Sequence, residues 1–584
     1  MPANDMTFLI GGEAGQGVES SGAGFAKALA RGGLRVFVVF DYHSRIRGGH
    51  NFATIRVAGR PLWSHRQRVH LVLALTEEAV RVHRDEIVPG GGVIYDEAMA
   101  VETAALEARG VRPFPVPLVR IAQEVGGNAL MANTAALGAA AGVTGFDLAP
   151  MFRVIQDNFG KKGAAVVEGN RNVAQAAFDF AQERYGRAFR WKLRATEAPP
   201  RMVMNGNQAF ALGALLAGCK FVAGYPMTPG SPVLEWMAAH SARYGVLTKH
   251  TEDEIAALCM VIGAAQAGVR AMTPTSGGGF SLMVEALGLA GMTETPAVIY
   301  EAQRPGPSTG LATRTEQGDL LFALHASQGD FPRIVLAPGT IEEAFEAGWR
   351  SFNLAERYQC PVIVLSDHAL ATSLRDLPPE ALDFASVVVD RGDLLTGADL
   401  DALEGEYQRH RFTESGISPR AIPGHPKAVY ATVSDEHDES GHITEDAENR
   451  RRMMEKRMRK LETARREMRP PVRYGPEKAE FTFLCWGSTY GPLREAVDLL
   501  NAEGVRANLL HLVDVWPFPT EHVATALATA RRTIMVEGNY AGQMANLIRM
   551  ATGHQMEGHI RKYDGRPFSP EYILAGFEEV TRHG

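Results

Sequence analysis

The stretch CKFVAGYPMTPGSPVLEWMAAHSARYG, Cys219–Gly245, reads as an apolar strand, a turn stiffened by three prolines, and a helix closed by glycine. The pattern continues on both sides. A helix at NGNQAFALGALLAG precedes it, and VLTKH, EDEIAALCMVIGAAQAG, RAMTPTS, FSLMVEALGLAGM and PAVIYEA follow as strand, helix, strand, helix, strand. Beyond a long loop, FPRIVLAP, IEEAFEAGWRSFNLAERY and PVIVLSD repeat the alternation. A crossover helix after each strand predicts a parallel, doubly wound sheet of the α/β class. In such a sheet ligands bind beyond the carboxyl ends of the strands, which is where the turn from Tyr225 to Pro232 falls.

Working outward, MTFLIGG, a glycine-rich turn, ESSGAGFAKALARGG and LRVFVVFDY form a strand, helix and strand, read as a parallel unit that VHLVLAL and GGVIYDE extend. Toward the other end, AEFTFLCWG, RANLLHLVD and RTIMVEG alternate with helical GPLREAVDLLNAEG and TEHVATALATARR. The expected organisation is three domains, each a mostly parallel doubly wound sheet, at 1–195, 202–375 and 473–584, with a linker carrying a charged helix over 376–472. That helix, in SDEHDESGHITEDAENRRRMMEKRMRKLETARREMRP, runs from acidic to basic in the sense that complements its macrodipole. It is expected to be solvated.

Composition narrows the function classes. A net charge of −7 over 584 residues argues against a nucleic-acid footprint, which needs a basic surplus or a basic face. The four cysteines, Cys219, Cys259, Cys360 and Cys485, have no CxxC spacing and no nearby histidine pair. Neither zinc nor an iron–sulfur cluster is expected on this chain, and so few thiols suit a reducing compartment. MPANDMTFLIGGEAG lacks the basic and apolar regions of a signal peptide, and the quiet stretch GNALMANTAALGAAAGVTGF is broken by Asn, Thr and Gly. No membrane span is expected, and the expected location is the cytoplasm.

Candidate chemistry gathers at the strand ends. In HTEDEIAALCMVIGAAQAG, Thr251 and Glu254 fit the S/T-x-x-E capping box, and Glu254 is also a candidate functional carboxylate at the ligand-binding edge. In TPTSGGGFSLM, Gly277, Gly278 and Gly279 read either as free N–H groups ahead of a helix, fit for an anion or a polar ring edge, or as a tight turn needing positive φ. No Gly-Lys-Ser/Thr follows, so this is not a P-loop. In EAQRPGPSTGLATRTEQGD, Arg304 and Arg314 flank Thr309 and Thr313, and a guanidinium grips a carboxylate through two parallel hydrogen bonds. At the N-terminus, GGEAGQGVESSG with Asp41 approximates a dinucleotide fingerprint in imperfect register, Ser20 standing for the third small residue. Arg45 and Arg47 in YHSRIRGGH suit a phosphorylated nucleotide better than plain NAD.

Taken together, these segments resemble the α subunit of 2-oxoacid:ferredoxin oxidoreductases with a γ domain fused ahead of it, most closely those acting on 2-oxoglutarate. GGEAGQGVESSG and YHSRIRGGHNFATIRV resemble the γ domain. GYPMTPGSP, the Glu254 and Gly277 segments, and QRPGPSTGLATRTEQGDL resemble the pyrimidine-binding domain for thiamine diphosphate. HLVDVWPFP and EGNYAGQMANLIR resemble a transketolase C-terminal-like domain.

The resemblance implies that Glu254 hydrogen-bonds the N1′ nitrogen of thiamine diphosphate, with Pro226, Ser276 and Gly277 also lining the cofactor. It implies Thr228, Arg304, Thr313 and Tyr225 around the substrate, with Glu254, Thr228 and Arg304 as the catalytic set. Arg45 and Arg47 would meet coenzyme A. Because the chain has no Gly-Asp-Gly motif and no cluster cysteines, the resemblance places Mg²⁺, the pyrophosphate site and a [4Fe-4S] cluster on a β subunit. It further implies an (αβ)2 heterotetramer and ferredoxin as electron partner. The implied reaction is oxidation of 2-oxoglutarate with coenzyme A to succinyl-CoA and CO2, reversible in principle. The alternatives are a pyruvate or branched-chain 2-oxoacid enzyme, an NAD(P)-linked dehydrogenase built on the N-terminal glycine loop, and a non-catalytic scaffold subunit.

Overall fold

A computed structural model describes residues 4–42 and 49–583. The chain divides into two compact units: Met1–Asn205 with Thr372–Leu382 and Ser569–Glu571, and Gly206–Ala371 with Asp383–Phe568 and Tyr572–Gly584. Among the described residues no helix is long and apolar enough to cross a membrane.

The first unit is built on an eight-stranded sheet in the order Arg112–Val116, Ile87–Asp96, Val69–Ala74, Met6–Glu13, His50–Ala58, Arg35–Asp41, Leu374–Leu377, Met202–Met204. From Arg112–Val116 as far as Met6–Glu13 the neighbours are parallel, and beyond that point they are antiparallel. The strand His50–Ala58 lies between Met6–Glu13 and Arg35–Asp41 and runs against both. Seven of its nine residues are buried, Ile55 and Val57 among them, as fits a strand inserted between two others. Met6–Glu13 and Arg35–Asp41 are therefore not neighbours, and Asp41 stands two strands from the glycine loop. A dinucleotide fold needs those strands adjacent, so the dehydrogenase reading loses its geometric basis. Leu374–Leu377 is held in this sheet partly by Asp376, which accepts from Val36 N at 2.7 Å and pairs with Arg35 at 3.1 Å.

Two sheets form the second unit. The seven-stranded one runs Asp514–Trp516, Ile334–Leu336, Pro361–Asp367, Ala297–Gln303, Ala271–Thr275, Phe221–Gly224, Leu247–His250, all parallel except the edge strand Asp514–Trp516. The five-stranded one runs Val472–Tyr474, Ala507–Leu512, Phe481–Trp486, Arg532–Glu537, Gly558–Arg561, again parallel but for its first edge. Asp514–Trp516 falls between Ala507–Leu512 and Arg532–Glu537 of the five-stranded sheet in the chain yet pairs with the seven-stranded one. Arg350 fastens it there with two bonds to the Asp514 carboxylate, at 2.5 and 2.6 Å. One apolar core serves both sheets, with Ala257, Met283 and Ile299 in the same cluster as Leu484, Leu512 and Met535.

The helix Ala447–Glu467 is not the solvated helix that its charge pattern predicts. Lys456, Arg457 and Lys460 are buried, and both lysines reach the buried carboxylate of Glu294, Lys456 at 2.5 Å. His410 Nδ1 meets the same carboxylate at 3.1 Å. Burial alone would raise the Glu294 pKa, but the two ammonium groups hold it well below the usual carboxylate range. The lysines sit one helical turn apart on one face, which the charge run of the sequence conceals. Glu294→Ala leaves two buried ammonium groups without their counter-charge and should destabilise this unit by roughly 3–5 kcal/mol. A urea titration should show the lower midpoint; an unchanged midpoint contradicts the assignment.

Candidate functional site

The site begins with how the helix Glu254–Gln266 is capped. Its N-cap is Asp253, whose carboxylate accepts from Ala256 N at 2.7 Å, while the Thr251 hydroxyl donates to the Asp253 carbonyl at 2.8 Å. The expected capping box of Thr251 and Glu254 therefore does not form. Asp253 performs the cap, and Glu254 is released from it. The Glu254 side chain turns inward instead: the residue is 3% exposed, and its Oε1 is buried with no hydrogen-bond partner among the described residues. An acceptor left orphaned in a dry place costs about 1–3 kcal/mol, so its partner is to be sought in a bound molecule.

The glycines ahead of Phe280 explain the fit. Gly277, Gly278 and Gly279 are the first turn of the helix Gly277–Met292, and none has a positive φ. They serve clearance rather than turn geometry. A Cβ on Gly279 would stand 2.7 Å from Glu254 Oε1 and 2.3 Å from Thr275 Oγ1, and one on Gly277 would stand 2.5 Å from Asp319 Oδ2. Ser276, the N-cap of this helix, makes no side-chain capping bond, and its hydroxyl is buried without a partner. Glu254 and Ser276 thus bring two unsatisfied polar atoms to the same carboxyl edge of the sheet.

The remaining predicted residues come from two loops. Arg304 donates from Nη1 to the carbonyl oxygen of Thr228 at 2.7 Å, which ties the proline-rich turn to the end of strand Ala297–Gln303. Burial lowers the Arg304 pKa, and the nearby Asp319 charge partly restores it. Tyr225 and Pro226 are exposed where the strand Phe221–Gly224 ends, with the Tyr225 ring edge-on to His250. Thr313 is half-buried, and Arg314 Nη1 donates to its carbonyl at 3.1 Å. In the first unit, a cavity of about 490 Å³ is lined by Glu13, Gly15, Gly17, Ser20, Asp41 and Phe52 among others. Arg45 and Arg47 lie outside the described residues.

Sequence reasoning passed over four residues here. Gln317 holds the Arg304 loop to the five-stranded sheet: its N donates to the Gly538 carbonyl at 2.7 Å, its Oε1 accepts from Gly538 N at 2.8 Å, and its Nε2 donates to the Trp486 carbonyl at 2.8 Å. Glu301 and Glu316 both feel the charge of Asp319, which also reaches Arg304. Burial pushes Glu301 well above the usual range and Asp319 up to about 6; burial, with the Asp319 charge, pushes Glu316 up to about 7. A carboxylate in the middle of the apolar run AVIYEAQ was the available signal.

Sequence profiles of three families match this chain in succession: "Pyruvate ferredoxin/flavodoxin oxidoreductase" over residues 7–180, "Pyruvate flavodoxin/ferredoxin oxidoreductase, thiamine diP-bdg" over 212–456, and "Pyruvate:ferredoxin oxidoreductase core domain II" over 479–573. The 2-oxoacid:ferredoxin oxidoreductase subunit alpha of Sulfolobus sp is 33% identical, across 99% of this chain and 97% of its own. The chain belongs to the 2-oxoacid:ferredoxin oxidoreductases. Within that family it is an α subunit with a γ-like domain fused at its N-terminus. The 2-oxoglutarate synthase subunit KorA of Methanothermobacter marburgensis is 33% identical over 64% of this chain and 96% of its own. A solved 2-oxoglutarate:ferredoxin oxidoreductase from Magnetococcus marinus, with 2-oxoglutarate, coenzyme A and succinyl-CoA bound, matches 99% of both chains with a TM-score of 0.90 at 34% identity.

For a 2-oxoacid:ferredoxin oxidoreductase the clearance at Gly279 is a direct test of the site. Gly279→Ala forces the Glu254 carboxylate aside and should lower oxidoreductase activity of the assembled enzyme roughly 100-fold, with the melting transition retained. Wild-type activity in that variant contradicts the arrangement.

Proposed function

We propose that this chain is the α subunit of a 2-oxoglutarate:ferredoxin oxidoreductase, which converts 2-oxoglutarate and coenzyme A to succinyl-CoA and CO2 and passes two electrons to ferredoxin. The orphaned Oε1 of Glu254, seated on Gly279, carries this reading. A buried carboxylate with a free acceptor, a glycine cradle and an uncapped Ser276 together fit the aminopyrimidine of thiamine diphosphate. That cofactor, when bound, supplies the nucleophilic carbon and the electron sink for cleaving the bond to the departing carboxylate.

The chain's own residues have distinct tasks. Glu254 holds a proton at the pyrimidine nitrogen across a charge-assisted hydrogen bond. Arg304, oriented by its bond to the Thr228 carbonyl, grips a substrate carboxylate. The Thr228 hydroxyl faces the reacting carbon, and Thr313 and Tyr225 close the substrate side. Pro226, Ser276 and Gly277 line the cofactor. In the first unit, the cavity beside the glycine loop, with Arg45 and Arg47 in the adjoining segment, receives the phosphates of coenzyme A.

With no Gly-Asp-Gly motif and no cluster cysteines in the sequence, Mg²⁺, the pyrophosphate site and the [4Fe-4S] cluster fall to a β subunit, in a cytoplasmic (αβ)2 heterotetramer. In this reading residues 1–195 form the γ-type domain, 202–375 the pyrimidine-binding domain, 376–472 the connecting segment and 473–584 the transketolase-like domain. The 2-oxoglutarate synthase relatives support that substrate, while relatives named only for 2-oxoacids favour a broader range that includes pyruvate and branched-chain acids.

Reconstitution with the β subunit tests the reading. Glu254→Gln should abolish turnover while leaving assembly intact, and near-normal turnover would refute it. Arg304→Ala should raise KM for 2-oxoglutarate far more than for coenzyme A; equal rises would remove Arg304 from the substrate site.

A further inference from the structure

We infer that Glu301 and Asp319 act as a proton-sharing carboxyl pair that positions Arg304 and governs how tightly it takes an anionic substrate. The inference rests on the reading of Arg304 as the substrate-binding residue. Glu301 sits in the strand Ala297–Gln303, in register with Thr275 on one side and Leu365 on the other, and has no exposed surface. Among the described residues neither of its oxygens meets an N–H or O–H donor, and Asp319 Oδ2 is likewise buried without one. Asp319 acts on Glu301 by its charge and as a hydrogen-bonding neighbour, and since neither carboxylate carries a donor of its own, two such acids share a bond only with a proton between them. Two ionised carboxylates in contact in a dry site repel strongly, so one proton is retained by the pair at neutral pH.

The position of this pair gives it a lever on the substrate. Asp319 N donates to Gln303 Oε1 at 3.0 Å, and Gln303 Nε2 donates to the Ser366 carbonyl at 2.9 Å. Asp319 is thereby held to the residue directly before Arg304, and its Oδ2 also packs on Gly277 at the start of the cofactor-side helix. As a structural device two buried acids are poor, since apolar residues of similar volume fill such a place at lower cost. Their charge has a recipient in Arg304, which feels Asp319 directly.

The charged groups that act on the pair are Arg304 and Glu316, both on the loop that follows the strand. With one proton, the pair carries a single negative charge and leaves Arg304 electrostatically available to a carboxylate. Loss of that proton adds a second negative charge, which competes with the substrate for the guanidinium. Affinity for an anionic 2-oxoacid therefore falls as pH rises through the titration of the pair.

The test uses the complete enzyme for kinetics and the full chain for spectroscopy. In wild type, KM for 2-oxoglutarate should rise through the titration to a plateau roughly tenfold higher, with kcat not following it. In Glu301→Gln the amide donates to an Asp319 that stays ionised, so the climb should vanish. Infrared difference spectra of the full chain near neutral pH should show a buried protonated carboxyl band in wild type that is lost in Glu301→Gln and shifted in Asp319→Asn, where a dry Glu301 keeps its proton. No such band in wild type overturns the inference even if a variant misfolds. If Arg304→Ala raises KM while Glu301→Gln keeps the wild-type pH profile, the inference fails alone. If Arg304→Ala leaves KM and its pH profile unchanged, the Arg304 assignment fails and takes the inference with it.

Discussion

A single carboxylate oxygen, buried against a glycine and left without a hydrogen-bond donor, is the constraint around which this chain is arranged. Glu254 opens a helix whose cap is made by its neighbour Asp253, so its own side chain is not spent on the backbone. Gly279 lacks the Cβ that would displace it. Both residues stand at carboxyl ends of parallel strands, the edge at which a doubly wound sheet collects its ligands. Remove either condition, the cap by Asp253 or the clearance at Gly279, and the oxygen finds a protein partner or moves away.

The five-stranded sheet contributes to the site without lending it a predicted catalytic residue. It holds Gln317, and through Gln317 it fixes the far end of the loop that starts at Arg304. The near end is fixed by the bond from Arg304 to the Thr228 carbonyl. A loop anchored at both ends loses little freedom on meeting a substrate, which is how a scaffold away from the chemistry raises affinity at it. The edge strand Asp514–Trp516 and the shared apolar core make the two sheets one cooperative body within this unit.

Much of this was legible in the sequence because it is local. The alternation of apolar runs and helical segments gives the α/β class, and the proline-rich turn and Glu254 announce themselves at strand ends. Features set by distant partners were not legible. Thr251 and Asp253 both stand at plausible cap positions, and only the inward turn of Glu254 and the bond from Thr251 to the Asp253 carbonyl show which one caps. Glycine triplets suggest positive φ, whereas here the requirement comes from Glu254 and Asp319, side chains distant in sequence. The antiparallel insertion of His50–Ala58 and the burial of Lys456 and Lys460 against Glu294 likewise depend on pairings that no short window contains.

The most direct test is an experimental structure of the chain assembled with its β subunit and thiamine diphosphate. The account predicts Glu254 Oε1 at about 2.6–3.2 Å from the N1′ nitrogen of the aminopyrimidine. A structure in which that oxygen bonds to protein, or in which the pyrimidine ring lies away from Gly279, would contradict it.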